Sequence, residues 1–145
     1  MRILGIDYGD RKIGLAVSDR LGITAQAIGS YSPAGPDKDK EYFESLVSEY
    51  GIQEVVVGLP LRMDGSFGRR AQKTKAFASW LEKTLGLRVI LWDERLSTKQ
   101  ARRILSQERM SPQKKRKIED QVSAVIILSA YLESTRRESD ADPDR

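Results

Sequence analysis

Arg2–Tyr8 and Lys12–Asp19 read as two strands joined by the short, glycine-led connection Gly9-Asp10-Arg11, and Thr24–Tyr31 reads as a third, entered through a turn at Gly22. Strands that follow one another through such short connections pair as antiparallel neighbours, so the first part of the chain commits the fold to a hairpin-built sheet. Ser32-Pro33-Ala34-Gly35-Pro36 then breaks the pattern. After it the period changes. Asp37–Tyr50 carries Tyr42, Phe43, Leu46, Val47 and Tyr50 at helical spacing, with Gly51 closing it. Glu54–Val57 is a short β-branched strand stopped by Gly58-Leu59-Pro60; Leu61–Gly68 is a loop in which Met63-Asp64-Gly65-Ser66 reads as a turn. Arg69–Leu85 is a helix with Phe77, Trp80, Leu81 and Leu85 as its apolar face, Arg88–Trp92 a strand, and Ser97–Gln107 a basic helix. Ser111-Pro112 suits another helix start, and the run from about Ile118 to Ser134 is helical and apolar nearly all round at Val122–Leu128, which predicts burial.

The order β-β-β-α-β-α-β-α-α implies an α/β domain: a five-stranded mixed sheet, three antiparallel leading strands joined to a parallel half, with helices on both faces. The chain of 145 residues has the length of one domain, expected over residues 1–136, with residues 137–145 as a disordered acidic tail. No apolar run approaches the roughly 20 residues of a membrane span, and the amino terminus has no targeting pattern, so the expected location is cytoplasmic.

Two absences narrow the chemistry. Without cysteine there are no disulfides, thiolate nucleophiles or Cys-ligated zinc; without histidine the commonest general base and transition-metal ligand are gone. A bound metal would be a hard, oxygen-liganded cation such as Mg²⁺ or Mn²⁺. Hydrolysis would fall to carboxylates, lysines or hydroxyls.

Three acidic positions stand out. Asp7 lies within an otherwise apolar first strand, where a carboxylate is costly unless paired, hydrogen-bonded or metal-bound; Arg11 is the nearest partner in sequence. Asp93 and Glu94 follow the last strand at its carboxyl end, where sites of such sheets gather, and strand alternation lets only one of them face the Asp7 side. Asp120 stands near the start of the buried last helix, where helix capping is the ordinary explanation. Taken together, carboxylates on neighbouring strand ends and an adjacent helix suit two divalent ions about 3.5–4 Å apart, an arrangement that hydrolyses phosphodiesters without histidine.

The net charge of +4 is segregated along the chain: nine basic residues stand against one acid between Arg95 and Lys117, and six acids against two lysines between Asp37 and Glu54. That pattern predicts a polyanion-facing side. Candidate phosphate contacts are Arg11, Lys12, Arg69, Arg70, Lys73, Arg95, Arg102 and Arg103. Aromatic residues are few, which predicts recognition of shape and backbone more than of bases.

Four stretches, GIDYGDRKIGLAVSD at 5–19, VVVGLPLRMDGS at 55–66, DERLST at 93–98 and EDQVSAVIILSAYLE at 119–133, resemble in order and spacing the YqgF-type (RuvX-type) RNase H-like proteins of bacteria, described as pre-16S rRNA nucleases and earlier as Holliday junction resolvases. The resemblance covers Met1 to about Glu133. It implies an RNase H-like fold and maturation of the 5′ end of 16S rRNA with Mg²⁺ or Mn²⁺. It also implies that Asp7, Glu94 (with Asp93 beside it) and Asp120 are the catalytic and metal-holding carboxylates. The expected partner is pre-16S rRNA or another structured nucleic acid, at a pre-ribosomal particle, with the protein a monomer or homodimer. The alternatives are a non-catalytic RNA-binding assembly factor and a resolvase of four-way DNA junctions, which needs a dimer for two symmetric nicks.

Overall fold

The structure, a computed structural model, describes residues 1–96 and 112–141, with the side chains of 1–96 and 122–136. Its elements are β1 (Arg2–Asp7), β2 (Ile13–Ser18), β3 (Ala25–Tyr31), α1 (Pro36–Tyr50), β4 (Ile52–Leu59), α2 (Arg69–Leu85), β5 (Arg88–Asp93), a single 3₁₀ turn (Glu94–Leu96) and α3 (Pro112–Ala141). One sheet holds all five strands in the order β3-β2-β1-β4-β5. β1, β2 and β3 pair antiparallel, while β4 lies parallel between β1 and β5. This is the mixed sheet expected from the strand and helix order.

Strand alternation sorts the side chains into two cores. Leu4, Ile6, Leu15, Val55 and Val57 face α1 and α2, where they meet Phe43, Leu46, Ala78 and Leu81. Ile3, Ala16 and Val56 face α3 and pack on Ala124, Ile127, Leu128 and Leu132. α1 starts with Pro36 in its first turn, and α1 and α2 each close on a left-handed glycine, Gly51 and Gly86. On the α3 face the sheet presents glycine where the helix comes nearest: a Cβ on Gly5 would lie 2.7 Å from the Cβ of Leu128.

Two elements differ from the sequence reading, each for a physical reason. β4 continues through Gly58 and Leu59 because both are paired with β5, to Trp92 and Asp93; flanking pairing overrides glycine as a stop signal. The last helix begins at Pro112 and forms one element to Ala141, past residue 137, where a disordered tail was expected. No glycine or proline lies between Pro112 and Pro143, so nothing in the local chemistry ends it sooner. The basic helix expected at Ser97–Gln107 lies outside the described residues. Among the described residues no helix is long and apolar enough to cross a membrane.

The β3–α1 connection is pinned by one carboxylate. Asp39 accepts the Tyr31 hydroxyl at 2.7 Å and the Ala34 N–H at 2.9 Å, while the Tyr31 ring stacks on Tyr42. The hydrogen bond to Asp39, aided by burial, pushes the Tyr31 phenol up from 10 to about 12. Because the folded value is the higher one, this contact is intact below pH 10 and fades between pH 10 and about 12. Alkaline titration of tyrosinate absorbance, compared between wild type and Tyr31→Phe, should therefore show the missing step near pH 12; a missing step at pH 10 contradicts the contact.

Replacing Gly5 by alanine should destabilise the fold by about 1–3 kcal/mol, the usual cost of an overpacked core, read as a lower urea midpoint with an unchanged slope. An unchanged midpoint would contradict the close approach of α3.

Candidate active site

Asp7 ends β1, the strand with β2 on one side and β4 on the other. It has the same parity as Ile3, on the α3 face. On β5, Ile90 and Trp92 face α3 as well, and the residue two beyond Trp92 is Glu94. Alternation thus carries Glu94, in the 3₁₀ turn, onto the Asp7 face and leaves Asp93 on the other. The side chains bear this out. Glu94 and Asp7 are joined by a hydrogen bond, and Glu94 lies over Gly58, with its Oε1 2.6 Å from where a glycine Cβ would stand. Ile127 of α3 occupies the same space from the other side. Gly58 is therefore part of the site: its missing side chain is the room in which Glu94 reaches Asp7. The sequence offered it only as a strand terminator, since a glycine that ends a strand and one that makes room look alike in one sequence.

Burial pushes the Glu94 carboxyl above its ordinary range, and the nearby Asp93 charge adds to this; the Arg70 guanidinium and the hydrogen bond with Asp7 pull the other way.

Asp93 is engaged differently. Arg95 donates to it from Nε at 3.1 Å, from Nη2 at 2.7 Å and from its backbone N–H at 3.0 Å, which holds Asp93 below the usual carboxylate range. The same guanidinium rests against Gly65, whose Cβ would lie 3.3 Å from Nη1, and Gly65 sits at φ +86° in the turn of the loop between β4 and α2. Asp93 thus serves as the anchor of an arginine that braces this loop. Asp120 belongs to α3, about two turns before Ile127; its side chain lies outside the described residues. Among the described residues no group of three or more metal-ligating side chains is assembled. Two carboxylates, Asp7 and Glu94, are brought together, and α3 runs beside them.

The cations fall into distinct settings. Arg69 and Arg70 open α2, whose first turn has no acid and no side-chain cap. Cations at a helix amino terminus oppose its dipole, a disfavoured placement that an incoming anion would relieve. Lys73, one turn on, pairs with Asp10 of the β1–β2 connection at 3.3 Å. Tyr8, Gly9, Asp10, Arg70, Lys73 and Thr74 line a small cleft between that connection and α2. Gly9 is obligatory in it, since a Cβ there would come within 2.6 Å of the Lys12 carbonyl oxygen. Arg11 and Lys12 are exposed in the same connection. Arg102 and Arg103 lie outside the described residues.

The fold is shared with solved Holliday junction resolvases. The chain resembles the Thermus thermophilus RuvC structure with a TM-score of 0.56 at 10% identity, covering 94% of this chain and 97% of that one. The fowlpox virus Holliday junction resolvase matches with a TM-score of 0.54 at 14% identity, over 92% of this chain and 99% of that one. The fold is RNase H-like. The family described as "RuvX: Holliday junction resolvase" matches residues 1–134, and the chain belongs to that nuclease family. A relative from Halothermothrix orenii, named "Putative pre-16S rRNA nuclease", is 47% identical over 132 residues, covering 91% of this chain and 94% of the relative. One of the same name from Syntrophus aciditrophicus is 44% identical over 138 residues, covering 95% and 92%.

Arg70→Ala should push the Glu94 carboxyl further up, because it removes a charge that favours the ionised form. Carboxyl-carbon NMR titration of Glu94 reads this directly; an unmoved or lowered midpoint would separate Arg70 from the carboxylate pair.

Proposed function

We propose that this chain is a divalent-metal-dependent endonuclease that hydrolyses phosphodiester bonds in maturing the 5′ end of pre-16S rRNA. The observation that supports this most is the contact of Asp7 with Glu94 at the carboxyl end of the sheet, with Arg70 beside it. Two carboxylates in contact are hard oxygen donors, a set suited to Mg²⁺ or Mn²⁺ and unsuited to softer metals. Asp7 and Glu94 would hold the cation, with Asp120 of the adjacent helix completing the set. Bound there, the metal supplies Lewis acidity to a water and to the leaving oxygen.

The rest falls to the chain's own side chains. Gly58 and Ile127 fix the Glu94 carboxylate by shape, one leaving room and the other closing it. Arg70 neutralises charge at the edge of the pair, where a phosphate would lie. Arg69, Lys73, Arg11 and Lys12 extend a cationic track along α2 and the β1–β2 connection, for neighbouring phosphates. Arg95, held by Asp93, keeps the loop after β4 at the margin of the site. Arg102 and Arg103 would lengthen the track. Such a substrate places the activity in the cytoplasm, at the pre-ribosomal particle.

A second reading follows from the family's description and its structural neighbours: cleavage of four-way DNA junctions, which requires a dimer presenting two such sites. Purified protein incubated with 16S precursor RNA carrying its 5′ extension, with Mn²⁺ or Mg²⁺ and with EDTA, tests the first reading. Asp7→Asn should lower metal-dependent cleavage by at least about 100-fold, more than loss of a supporting contact to a metal ligand costs, while RNA binding in EDTA is retained. Wild-type cleavage by that variant would remove Asp7 from the chemistry. Symmetric junction nicking without cleavage of the RNA would favour the second reading. Salt-sensitive RNA binding with no metal-dependent cleavage would make the protein an assembly factor.

A further inference from the structure

Beside the small cationic cleft lies a second depression of a different character. It is a groove of about 420 Å³ whose apolar walls are Tyr8, Ile13, Pro33, Pro36, Phe77 and Trp80, with Asp10, Asp39 and Lys73 among its lining. Tyr8 and Phe77 are stacked, with ring centroids 4.5 Å apart and planes inclined by 18°, and Phe77 leads on to Trp80 at 6.0 Å. All three rings are half-buried, so each gives one part of its surface to the core and leaves another uncovered. Phe77 and Trp80 are one helical turn apart, on the same face of α2 as Lys73.

The position of this groove decides its occupant. It shares Tyr8, Asp10 and Lys73 with the cationic cleft, and the cleft's other wall is Arg70, the guanidinium that acts on Glu94. Guanidinium, ammonium and aromatic groove thus adjoin one another, with Glu94 within reach of the guanidinium's charge. A polymer with an anionic backbone and flat, apolar pendants matches that succession; a lipid or an apolar peptide does not account for the cations, and a duplex keeps its pendants stacked inside. We infer that the Tyr8–Phe77–Trp80 groove receives an unpaired nucleobase of the substrate strand, next to the phosphates held by Arg70 and Lys73. The inference rests on the nucleic-acid reading of the site and adds a preference for single-stranded or splayed nucleotides. The aromatic residues are few, but three of them are gathered around this groove. Stacking on such a surface tolerates any base, and the rim carboxylates of Asp10 and Asp39 can accept an N–H from a base edge.

The test is metal-free binding in EDTA, followed by fluorescence anisotropy with a labelled single-stranded RNA and with the blunt duplex of the same sequence. Trp80→Ala should weaken single-strand binding about tenfold, the ordinary loss on removing one stacking platform, and leave duplex binding at its wild-type value. Trp80→Phe should restore most of the loss. Equal weakening of both probes, or of neither, overturns the inference. Should Trp80→Ala fail to fold, abasic sugars walked along the single strand give the same answer on the wild-type protein. One position should then cost about tenfold, and indifference at every position overturns the inference. Because no metal is present, this outcome is independent of turnover. A Trp80-dependent preference for single strands without metal-dependent cleavage would sink the nuclease reading and leave the groove standing.

Discussion

A long helix lays its apolar middle on a sheet that presents two glycines beneath it. At Gly5 a single added carbon would meet Leu128, and at Gly58 it would meet both Ile127 and Glu94. The first glycine lets α3 settle on the middle of the sheet and bury Ile3, Ala16 and Val56. The second, at the carboxyl end, opens the space through which a glutamate reaches an aspartate two strands away. Packing and chemistry therefore share one constraint: the distance from helix to sheet that seals the core also determines how much room the carboxylate pair has. Adding a methyl group at Gly58 would disturb both.

Much of this was legible in the residues. The mixed sheet follows from three hairpin-linked strands before the first helix, and α2 runs over the residues its apolar spacing marked. The choice between Asp93 and Glu94 was half legible. Alternation required that they part company, but which of them turned toward Asp7 depended on how far β5 extends, a quantity set by its pairing with Leu59 of β4. The true length of β4 was hidden for the same reason: pairing from a distant strand holds Gly58 and Leu59 extended where local propensity favours a stop. The aromatic groove was invisible because Tyr8, Pro33 and Trp80 come from three separate segments and meet only through the fold.

Neighbouring acids with opposite fates show how an environment divides labour. Asp93 gives its oxygens to Arg95, is held ionised, and works as a strut for the loop around Gly65. Glu94, one residue on, is buried beside a second carboxyl, and burial pushes its carboxyl up against the opposing pull of the Arg70 charge. One residue is clasped by a guanidinium, while the other feels one only through its charge. A single step along the backbone separates a carboxylate gripped by an arginine from one buried beside another carboxyl.

The chain contributes Asp7 from its first strand and Glu94 from the turn after its last, and β1 cannot acquire its parallel neighbour until α1 has been made. Contacts this distant in sequence form late in folding, since the intervening loop must be closed before they give any return. A chain still being synthesised therefore carries Asp7 without Glu94 until β5 and the turn after it have been made. The carboxylate pair exists only once the whole sheet does, so a chain that stops before β5 cannot assemble it.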